Sequence, residues 1–281
     1  MDADLHVHTK ASDGVLTPTE LVSLAVSRNL RAIAITDHDS IDGVEEAQAA
    51  ARGKGILVVP GVEINTDYGK EEVHILGYFI NTGSEELNGT LAELRKARTV
   101  RAEKIVDQLG RLGLPVCMDR VLEIAGAGSV GRPHIAAALV EKGYALSVRD
   151  AFVRYLSRGA PGYVPRYKIT PAEAVQIVTG AGGVPVLAHP GLLDQNKRLP
   201  AHKGLFPELM AAGIKGIEVY YPKHTPEMVR QYEAVCDRCQ LISTGGSDYH
   251  GPGQKEEGEL GDAGVGFAVV IKLQEASFRF A

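Results

Sequence analysis

A chain of 281 residues is long for one ordinary domain but normal for a single α/β barrel that carries an insertion. Hydrophobic residues make up 44% of the chain and charged residues 23%, which predicts a folded core of ordinary size and excludes a disordered protein. The net charge of −5 excludes a surface built as a whole for polyanions, so contact with nucleic acid would need a local patch or metal ions.

The sequence carries no sign of export or of a membrane anchor. It contains no run of about 18 apolar residues, the length that a spanning helix needs, and no recognisable signal peptide. We therefore expect a cytoplasmic protein without membrane contact, and we predict no stable protein partner.

Three cysteines, Cys117, Cys236 and Cys239, argue against a disulfide framework. The spacing of Cys236 and Cys239 fits half of a zinc site or a redox pair, but it also fits two residues of a helix that begins at Thr225-Pro226. A zinc site of this type needs a second ligand pair, and none lies nearby, so we favour the helix.

Short apolar runs alternate with amphipathic stretches along most of the chain, and eight of these runs are predicted as strands. They are Leu5–His8, Arg31–Thr36, Ile56–Pro60, Val73–Phe79, Val184–Ala188, Gly216–Tyr220, Leu241–Thr244 and Phe267–Ile271. Helices are indicated between most of them, and Thr17-Pro18-Thr19-Glu20 and Thr170-Pro171-Ala172-Glu173 each combine a capping box with proline at the first helical position. This alternation indicates parallel strands with crossover helices, and seven or eight of them favour a closed barrel over an open sheet.

The segment 85–160 departs from this alternation, because its pattern is helical and it lacks convincing strands. We predict one domain over residues 1–281, with a mostly α-helical insertion at 85–160 that covers the barrel mouth. Five basic residues of the insertion are close together in the sequence: Arg95, Lys96, Arg98, Arg101 and Lys104. They either attract RNA or form a solvated helix face, and we favour the second because Glu93 and Glu103 are available as ion partners.

Histidines and acidic residues follow several predicted strands, and the active face of such a barrel lies at its strand ends. His6 and His8 are two apart on the first strand, so both imidazoles point to the same side, and Asp13 follows in the next loop. His38 stands in the hydrophilic run Thr36-Asp37-His38-Asp39 after the second strand. Burying such a run is costly unless its groups are paired or bind a metal, although a capped turn into the next helix also fits.

Glu63 and His74 flank the turn sequence Asp67-Tyr68-Gly69-Lys70. If the turn centres on Tyr68-Gly69, residues whose numbers add to 137 face each other, and Glu63 and His74 are such a pair. A carboxylate and an imidazole so placed can share or bridge metal ions, although they also fit an ordinary cross-strand surface pair.

Asp248 and His250 repeat the two-residue spacing after a later strand, beside Gly245 and Gly246, and His134 lies within the insertion. The full set of metal-ligand candidates is His6, His8, Asp13, His38, Glu63, His74, His134, Asp248 and His250. Nitrogen and carboxylate ligands without thiolate suit zinc, manganese or iron. Nine ligands are too many for one ion, so we predict two or three divalent ions (Mn²⁺, Fe²⁺ or Zn²⁺).

These residues resemble the motifs of the PHP (polymerase and histidinol phosphatase) family. The resembling segments are Asp4-Leu5-His6-Val7-His8-Thr9, Thr36-Asp37-His38, Gly61-Val62-Glu63, the His74 strand, Arg132-Pro133-His134, Ala188-His189-Pro190 and Gly246-Ser247-Asp248-Tyr249-His250. The resemblance covers nearly the whole chain, and it implies a distorted (β/α)7 barrel with a trinuclear metal site. The order of the nine ligands in the family is matched without a departure.

Within the family, the chain is most similar to stand-alone phosphoesterases that act on nucleoside 3',5'-bisphosphates and short 5'-phosphorylated RNA. The resembling features are the helical insertion, Arg132 before His134, and the loop Ala188-His189-Pro190-Gly191. The resemblance implies one metal held by His6, His8, Glu63 and Asp248, a second by Glu63, His74 and His134, and a third by Asp13, His38 and His250. It implies that Arg132 and His189 grip the substrate phosphate, and the predicted catalytic residues are Glu63, Asp248, His189 and Arg132.

The implied reaction is hydrolysis of a phosphate ester. Divalent metals lower the pKa of bound water toward about 7, and we expect a hydroxide between the two metals that share Glu63 to attack phosphorus in line. Arg132 suits bidentate phosphate binding because its planar fork matches two oxygens, and His189 could donate a proton to the leaving oxygen. Four aromatic residues either stack on a base or pack the insertion onto the barrel: Phe152, Tyr155, Tyr163 and Tyr167.

Three alternatives stay open on the sequence. The family also contains phosphatases of histidinol phosphate and other small metabolites, and metal-binding modules without activity. A hydrolase of the amidohydrolase type also begins with two histidines on a barrel strand, but it usually needs a bridging modified lysine in mid-chain. No lysine stands at the end of a central predicted strand here, and Asp248 and His250 would be left unexplained.

Overall fold

The computed structural model describes residues 2–69, 71–126, 130–165, 169–193, 204–253 and 258–278. The chain divides into two compact units. The first comprises Met1–Thr90 and Ile169–Ala281, and the second comprises Leu91–Lys168.

The first unit contains a sheet that has seven strands within the described residues. They are β1 (Ala3–Val7), β2 (Ala32–Ile35), β3 (Leu57–Tyr68), β4 (Glu71–Tyr78), β5 (Val184–Leu187), β6 (Gly216–Tyr220) and β7 (Ile242–Gly245). Neighbouring strands follow chain order, and β4 is antiparallel to both β3 and β5 while the other described pairings are parallel. Bridges from β1 to the segments after β7, Ala3 to Val265 and Val7 to Tyr249, bring the sheet close to closure. The predicted distorted (β/α)7 barrel is confirmed.

Ten α-helices accompany the strands in the described part of the chain. They are α1 (Pro18–Ser27), α2 (Val44–Ala51), α3 (Glu85–Arg111), α4 (Met118–Ala125), α5 (Arg132–Glu141), α6 (Val148–Ala151), α7 (Pro171–Gly180), α8 (Leu205–Ala212), α9 (Pro226–Cys239) and α10 (Phe267–Phe278). A π-helical turn follows α6 at Phe152–Leu156, and a 3₁₀ turn follows β5 at Pro190–Leu192. None of the described helices has the length and apolar character required to span a membrane.

The helix signals in the sequence are confirmed. At α1, the Thr17 hydroxyl accepts from the backbone N–H of Glu20, and the Glu20 carboxylate accepts from the backbone N–H of Thr17 at 2.8 Å. The same capping box begins α7, and such a cap is worth about 1 kcal/mol. Cys236 and Cys239 are unpaired by disulfides and lie in α9, so the helical interpretation of their spacing is also confirmed.

The strand predicted at Phe267–Ile271 is wrong, because these residues begin α10. The apolar run favours a strand locally, but Val270 and Leu273 are buried three residues apart in the barrel core cluster, beside Leu5 and Val186. Helical spacing therefore lets this segment place its apolar side chains on the core, and tertiary packing overrides the local preference.

The predicted register of the β3–β4 hairpin is wrong by two residues. Tyr68 pairs with Glu71 at the end of the hairpin, so Glu63 faces Leu76 and His74 faces Asn65. Because the shift is an even number, every side chain keeps its face of the sheet. Glu63 and His74 are diagonal neighbours on one face, and their side chains still meet.

The second unit, Leu91–Lys168, contains most of α3 together with α4, α5, α6 and the π-helical turn. These elements enclose their own apolar cluster, which includes Ile105, Leu109, Val121, Ile135, Leu139 and Leu156. The insertion predicted at 85–160 overlaps this unit over 91–160, and its place over the barrel mouth stays a prediction.

Candidate metal centre

Eight of the nine predicted ligands come together in the first unit. They form three overlapping groups: His6, His8, Glu63 and Asp248; His8, Asp13, His38 and His250; and His38, Glu63 and His74. Within each group, one ligand atom from every residue lies within 4.8 Å of the others. Most of these residues lie at or just after strand ends, as expected for the active face of such a barrel.

Glu63 lies at the centre of the cluster, and its side chain is fully buried. Five imidazole nitrogens lie close to its two oxygens: Nε2 of His6 (3.2 Å), Nε2 of His8 (3.3 Å), Nδ1 of His38 (2.9 Å), Nδ1 of His74 (2.7 Å) and Nε2 of His189 (3.0 Å). The Glu63 backbone N–H also donates to the carbonyl oxygen of Asp37 at 3.2 Å, which extends the pairing of β3 beyond the end of β2. The barrel itself therefore fixes this carboxylate.

Two aspartates, which lie in loops after β1 and β7, complete the cluster. Asp248 Oδ1 lies 3.3 Å from His6 Nε2 and 3.1 Å from His8 Nε2, and its second oxygen accepts from the Tyr221 hydroxyl at 3.1 Å. Asp13 Oδ1 lies 3.3 Å from Nε2 of His250. Asp248 thus presents one oxygen to the imidazoles around it, whereas Asp13 presents both, because its Oδ2 lies 3.8 Å from His38 Nε2.

Buried atoms without a hydrogen-bond partner show that the cluster fits metal ions. In the described part of the chain, six such atoms belong to this site: Nε2 of His6, Nδ1 and Nε2 of His8, Oδ1 of Asp13, Oε2 of Glu63 and Nε2 of His74. Buried polar atoms are nearly always satisfied, so several unpaired nitrogen and carboxylate oxygen atoms within one cluster indicate a missing ligand. Their nitrogen and carboxylate chemistry is that of zinc, manganese or iron sites.

Burial and charge act against each other on the ionisable groups of the cluster. Burial alone would raise the pKa of Glu63, but the imidazoles of His38, His6 and His74 outweigh it and hold that pKa well below its usual range. Burial would lower the pKa of His74, yet the Glu63 carboxylate raises it to about 9. The raised pKa values of His6 and His74 favour their protonated forms without metal, so divalent cations would displace these protons when they bind.

His189 belongs to the same cluster, in the turn after β5. Its backbone is in the left-handed region (φ 21°, ψ 60°), which is unusual for a residue other than glycine. Its Nε2 lies 3.0 Å from the Glu63 oxygen that also contacts His74, and the His74 and His189 rings have centroids 5.0 Å apart. This position places His189 beside the candidate ligands, and the phosphate contact that the sequence resemblance implied stays a prediction.

Arg132 and His134 lie in the second unit, at the first turn of α5. The backbone N–H of Gly131 donates to Nδ1 of His134 at 3.0 Å, and the Arg132 guanidinium lies 5.6 Å from the centre of the Phe152 ring. The predicted roles of His134 as a ligand and of Arg132 as a phosphate contact stay predictions.

Several aromatic and basic residues of the insertion have partners within the second unit. Phe152 and Tyr155 pack against the apolar cluster of the second unit. Arg101 donates to the carbonyl oxygen of Val164 at 2.7 Å and lies over the Tyr163 ring. Tyr167 lies outside the described residues, and stacking of these rings on a base stays a prediction.

Three buried carboxylates that hold the cluster in place were not predicted as functional residues from the sequence. Asp37 accepts from the Thr9 backbone and from the hydroxyls of Thr9 and Ser12, and Asp4 accepts from the Ser247 backbone and hydroxyl. Glu218 on β6 accepts from His6. Asp4 and Asp37 lie next to motif histidines, and Glu218 interrupts an apolar strand, so a buried acid at each place was a usable signal.

A glycine allows the loop after β7 to approach β1. A Cβ at Gly246 would collide with the backbone of His6. Glycine at this position therefore lets Asp248 reach His6 and His8.

A cluster of histidine and carboxylate ligands at the strand ends of an α/β barrel defines a metal-dependent hydrolase. Residues 4–117 match the family model of the PHP domain. A 3',5'-nucleoside bisphosphate phosphatase from Chromobacterium violaceum is 36% identical over 252 residues, which cover 89% of this chain and 88% of the relative. The 5'-3' exoribonuclease Rnm of Salmonella typhimurium is also 36% identical, over 89% of this chain and 85% of the relative.

A solved structure agrees with these relatives. A crystal structure from Bifidobacterium adolescentis, assigned to the metal-dependent phosphoesterases, has a TM-score of 0.90 and 33% identity and covers 98% of this chain and 96% of its own. The chain belongs to the PHP family of metal-dependent phosphoesterases. The family and enzyme class predicted from the sequence are confirmed.

Proposed function

We propose that this phosphoesterase hydrolyses phosphate esters of nucleotides, with nucleoside 3',5'-bisphosphates or short 5'-phosphorylated RNA as its substrates. The observation that supports the site of reaction is the convergence of five imidazoles on the buried carboxylate of Glu63. The substrate class is supported by the two relatives of matching length, which are named for a nucleoside bisphosphate and for RNA.

Two or three divalent ions (Mn²⁺, Fe²⁺ or Zn²⁺) would be held by this cluster. We assign the first position to His6, His8, Glu63 and Asp248, and the third to Asp13, His38 and His250. For the second position, the contacts favour His189 as the partner of Glu63 and His74, where the sequence resemblance implied His134. When bound, divalent ions supply a water whose pKa is lowered toward about 7 and positive charge for the phosphoryl oxygens.

The residues of the chain have separate tasks in this proposal. Glu63 and Asp248 would share the first metal position with the imidazoles of His6 and His8, whose side chains are fully buried. Arg132 would bind a phosphate through two parallel N–H donors, because its guanidinium stays charged and does not ligate metal.

Substrate preference is the first prediction. Adenosine 3',5'-bisphosphate or a short 5'-phosphorylated RNA should exceed AMP and histidinol phosphate in kcat/KM by at least about tenfold, because binding energy from the base and second phosphate contributes to the transition state. The four compounds are compared under one Mn²⁺ concentration. A higher kcat/KM for histidinol phosphate than for the other three would refute the substrate proposal and leave the phosphoesterase class intact.

Arg132→Ala should lower kcat/KM for the preferred substrate by about ten- to a hundredfold, the usual loss for hydrogen bonds to a charged group. The Mn²⁺ content measured by elemental analysis should stay that of the wild type. Arg120→Ala is the matched control, because Arg120 is half-exposed and forms surface ion pairs with Glu123 and Glu141 in the same unit. Equal kinetics for the Arg132 and Arg120 variants would contradict the phosphate contact.

A further inference from the structure

We propose that Glu218 is a positioning residue that couples the first and second metal positions, an inference that rests on the proposed metal site. Glu218 lies in the middle of β6, in the strand sequence Gly-Ile-Glu-Val-Tyr, and its side chain is completely buried. One oxygen, Oε1, lies 2.9 Å from His6 Nδ1, and the other, Oε2, accepts from the backbone N–H of His189 at 2.7 Å. Both oxygens are thus committed, each to a different candidate ligand.

The contact with His6 determines which ring nitrogen faces the metal. A carboxylate only accepts hydrogen bonds, so His6 must carry its proton on Nδ1 when it lies beside Glu218. A neutral imidazole has one N–H, which leaves the lone pair on Nε2. That nitrogen points at Glu63 Oε2 (3.2 Å) and Asp248 Oδ1 (3.3 Å), and three atoms so close together need either a proton or a metal ion between them, so a metal that binds here takes the place of the Nε2 proton.

The contact with His189 holds a backbone that would not adopt its conformation unaided. His189 has a positive φ, and residues in this region persist when their surroundings fix them. Glu218 fixes its N–H, and two residues further on His224 Nε2 accepts from the N–H of Gly191 at 3.1 Å. These two hydrogen bonds direct the His189 ring towards Glu63, where Nε2 and the carboxylate oxygen are 3.0 Å apart.

Glu218 therefore contacts one ligand of the first metal position and one ligand of the second. A different carboxylate supports the third metal position. Asp37 fixes the loop that carries Asp13 through Thr9 and Ser12. Disturbing Glu218 should weaken the first two positions together and leave the third near its original affinity.

Glu218→Gln tests this inference, because glutamine keeps the shape but offers one acceptor oxygen in place of two. Either His6 Nδ1 or the His189 N–H must then face an amide donor. Loss of such a supporting partner typically lowers metal affinity by about ten- to a hundredfold. Titration of the metal-free protein with Mn²⁺ should show two weakened sites, with any third site within about threefold of wild type.

Glu233→Gln is the matched control. Glu233 lies outside the metal cluster and accepts a hydrogen bond from the hydroxyl of Tyr220, which lies on the same strand as Glu218. Its Mn²⁺ affinities should equal those of the wild type. In the Zn²⁺-loaded protein, ¹⁵N-histidine spectra should show the proton on His6 Nδ1 in wild type and Glu233→Gln, and its loss or shift in Glu218→Gln.

The outcomes separate the two proposals. Wild-type Mn²⁺ affinity and an unchanged His6 signal in Glu218→Gln would overturn the positioning role alone. A wild-type protein that binds no Mn²⁺ would overturn the proposed metal site and this inference with it. The melting temperature of each metal-free protein is measured in parallel, and a Glu218→Gln protein already unfolded without metal would overturn a role confined to positioning.

Discussion

Glu63→Gln is expected to lower kcat/KM by at least about a hundredfold while the barrel stays folded. The substitution preserves the size of the side chain but removes the charge on which five imidazoles converge. The new amide N–H₂ also faces imidazole nitrogens, at least one of which needs a hydrogen-bond acceptor. We therefore expect the first and second metal positions, which share Glu63, to lose affinity for metal. Steady-state kinetics at saturating Mn²⁺ measure the effect, and circular dichroism checks the fold.

The control for Glu63→Gln is Glu208→Gln. Glu208 is exposed and accepts a hydrogen bond from Tyr68 at the tip of the hairpin that carries Glu63. The control should keep wild-type kinetics, because its carboxylate can be replaced by water. Turnover of Glu63→Gln within threefold of the control would argue against Glu63 as the shared ligand.

The positions of the candidate ligands could be predicted from the sequence largely because most of them lie on or just after a strand. His6 lies on β1 and His8 directly follows it, and Asp248 and His250 follow β7, so strand periodicity and barrel topology together place them at one end. The β3–β4 hairpin shows the effect of strand periodicity. Its predicted register was two residues off, yet Glu63 and His74 still share a face because strand side chains alternate with a period of two.

The hydrogen-bond network that orients the ligands could not be predicted from the sequence. Glu218 stands in an apolar strand some two hundred residues from His6, and nothing in local spacing joins them before β1 and β6 take their places in the barrel. The error at Phe267–Ile271 has a similar origin, since packing of α10 against the core decided its conformation. The position of His189 beside Glu63 likewise depends on a backbone conformation that local propensity disfavours.

Removal of metal is expected to abolish phosphoesterase activity and to lower the melting temperature. Six buried atoms of the cluster have no hydrogen-bond partner among the described residues, and bound ions would satisfy them. Ions that bind only the folded protein stabilise it by about 2.7 kcal/mol at a hundred times their Kd, which corresponds to roughly 5 °C or more in a chain of this size. Gently purified protein should contain more than one equivalent of Mn, Fe and Zn in total.

The test combines elemental analysis, a phosphatase assay and thermal unfolding, each before dialysis against a chelator, after it, and after Mn²⁺ is restored. Activity and melting temperature should fall together and recover together, because the same ions hold the ligands and supply the nucleophilic water. Glu63→Gln should show a smaller gain in melting temperature from Mn²⁺ than Glu208→Gln, since it lacks the shared carboxylate. A protein that binds at most one ion and stays active in chelator would refute the multinuclear site, whatever its preferred substrate.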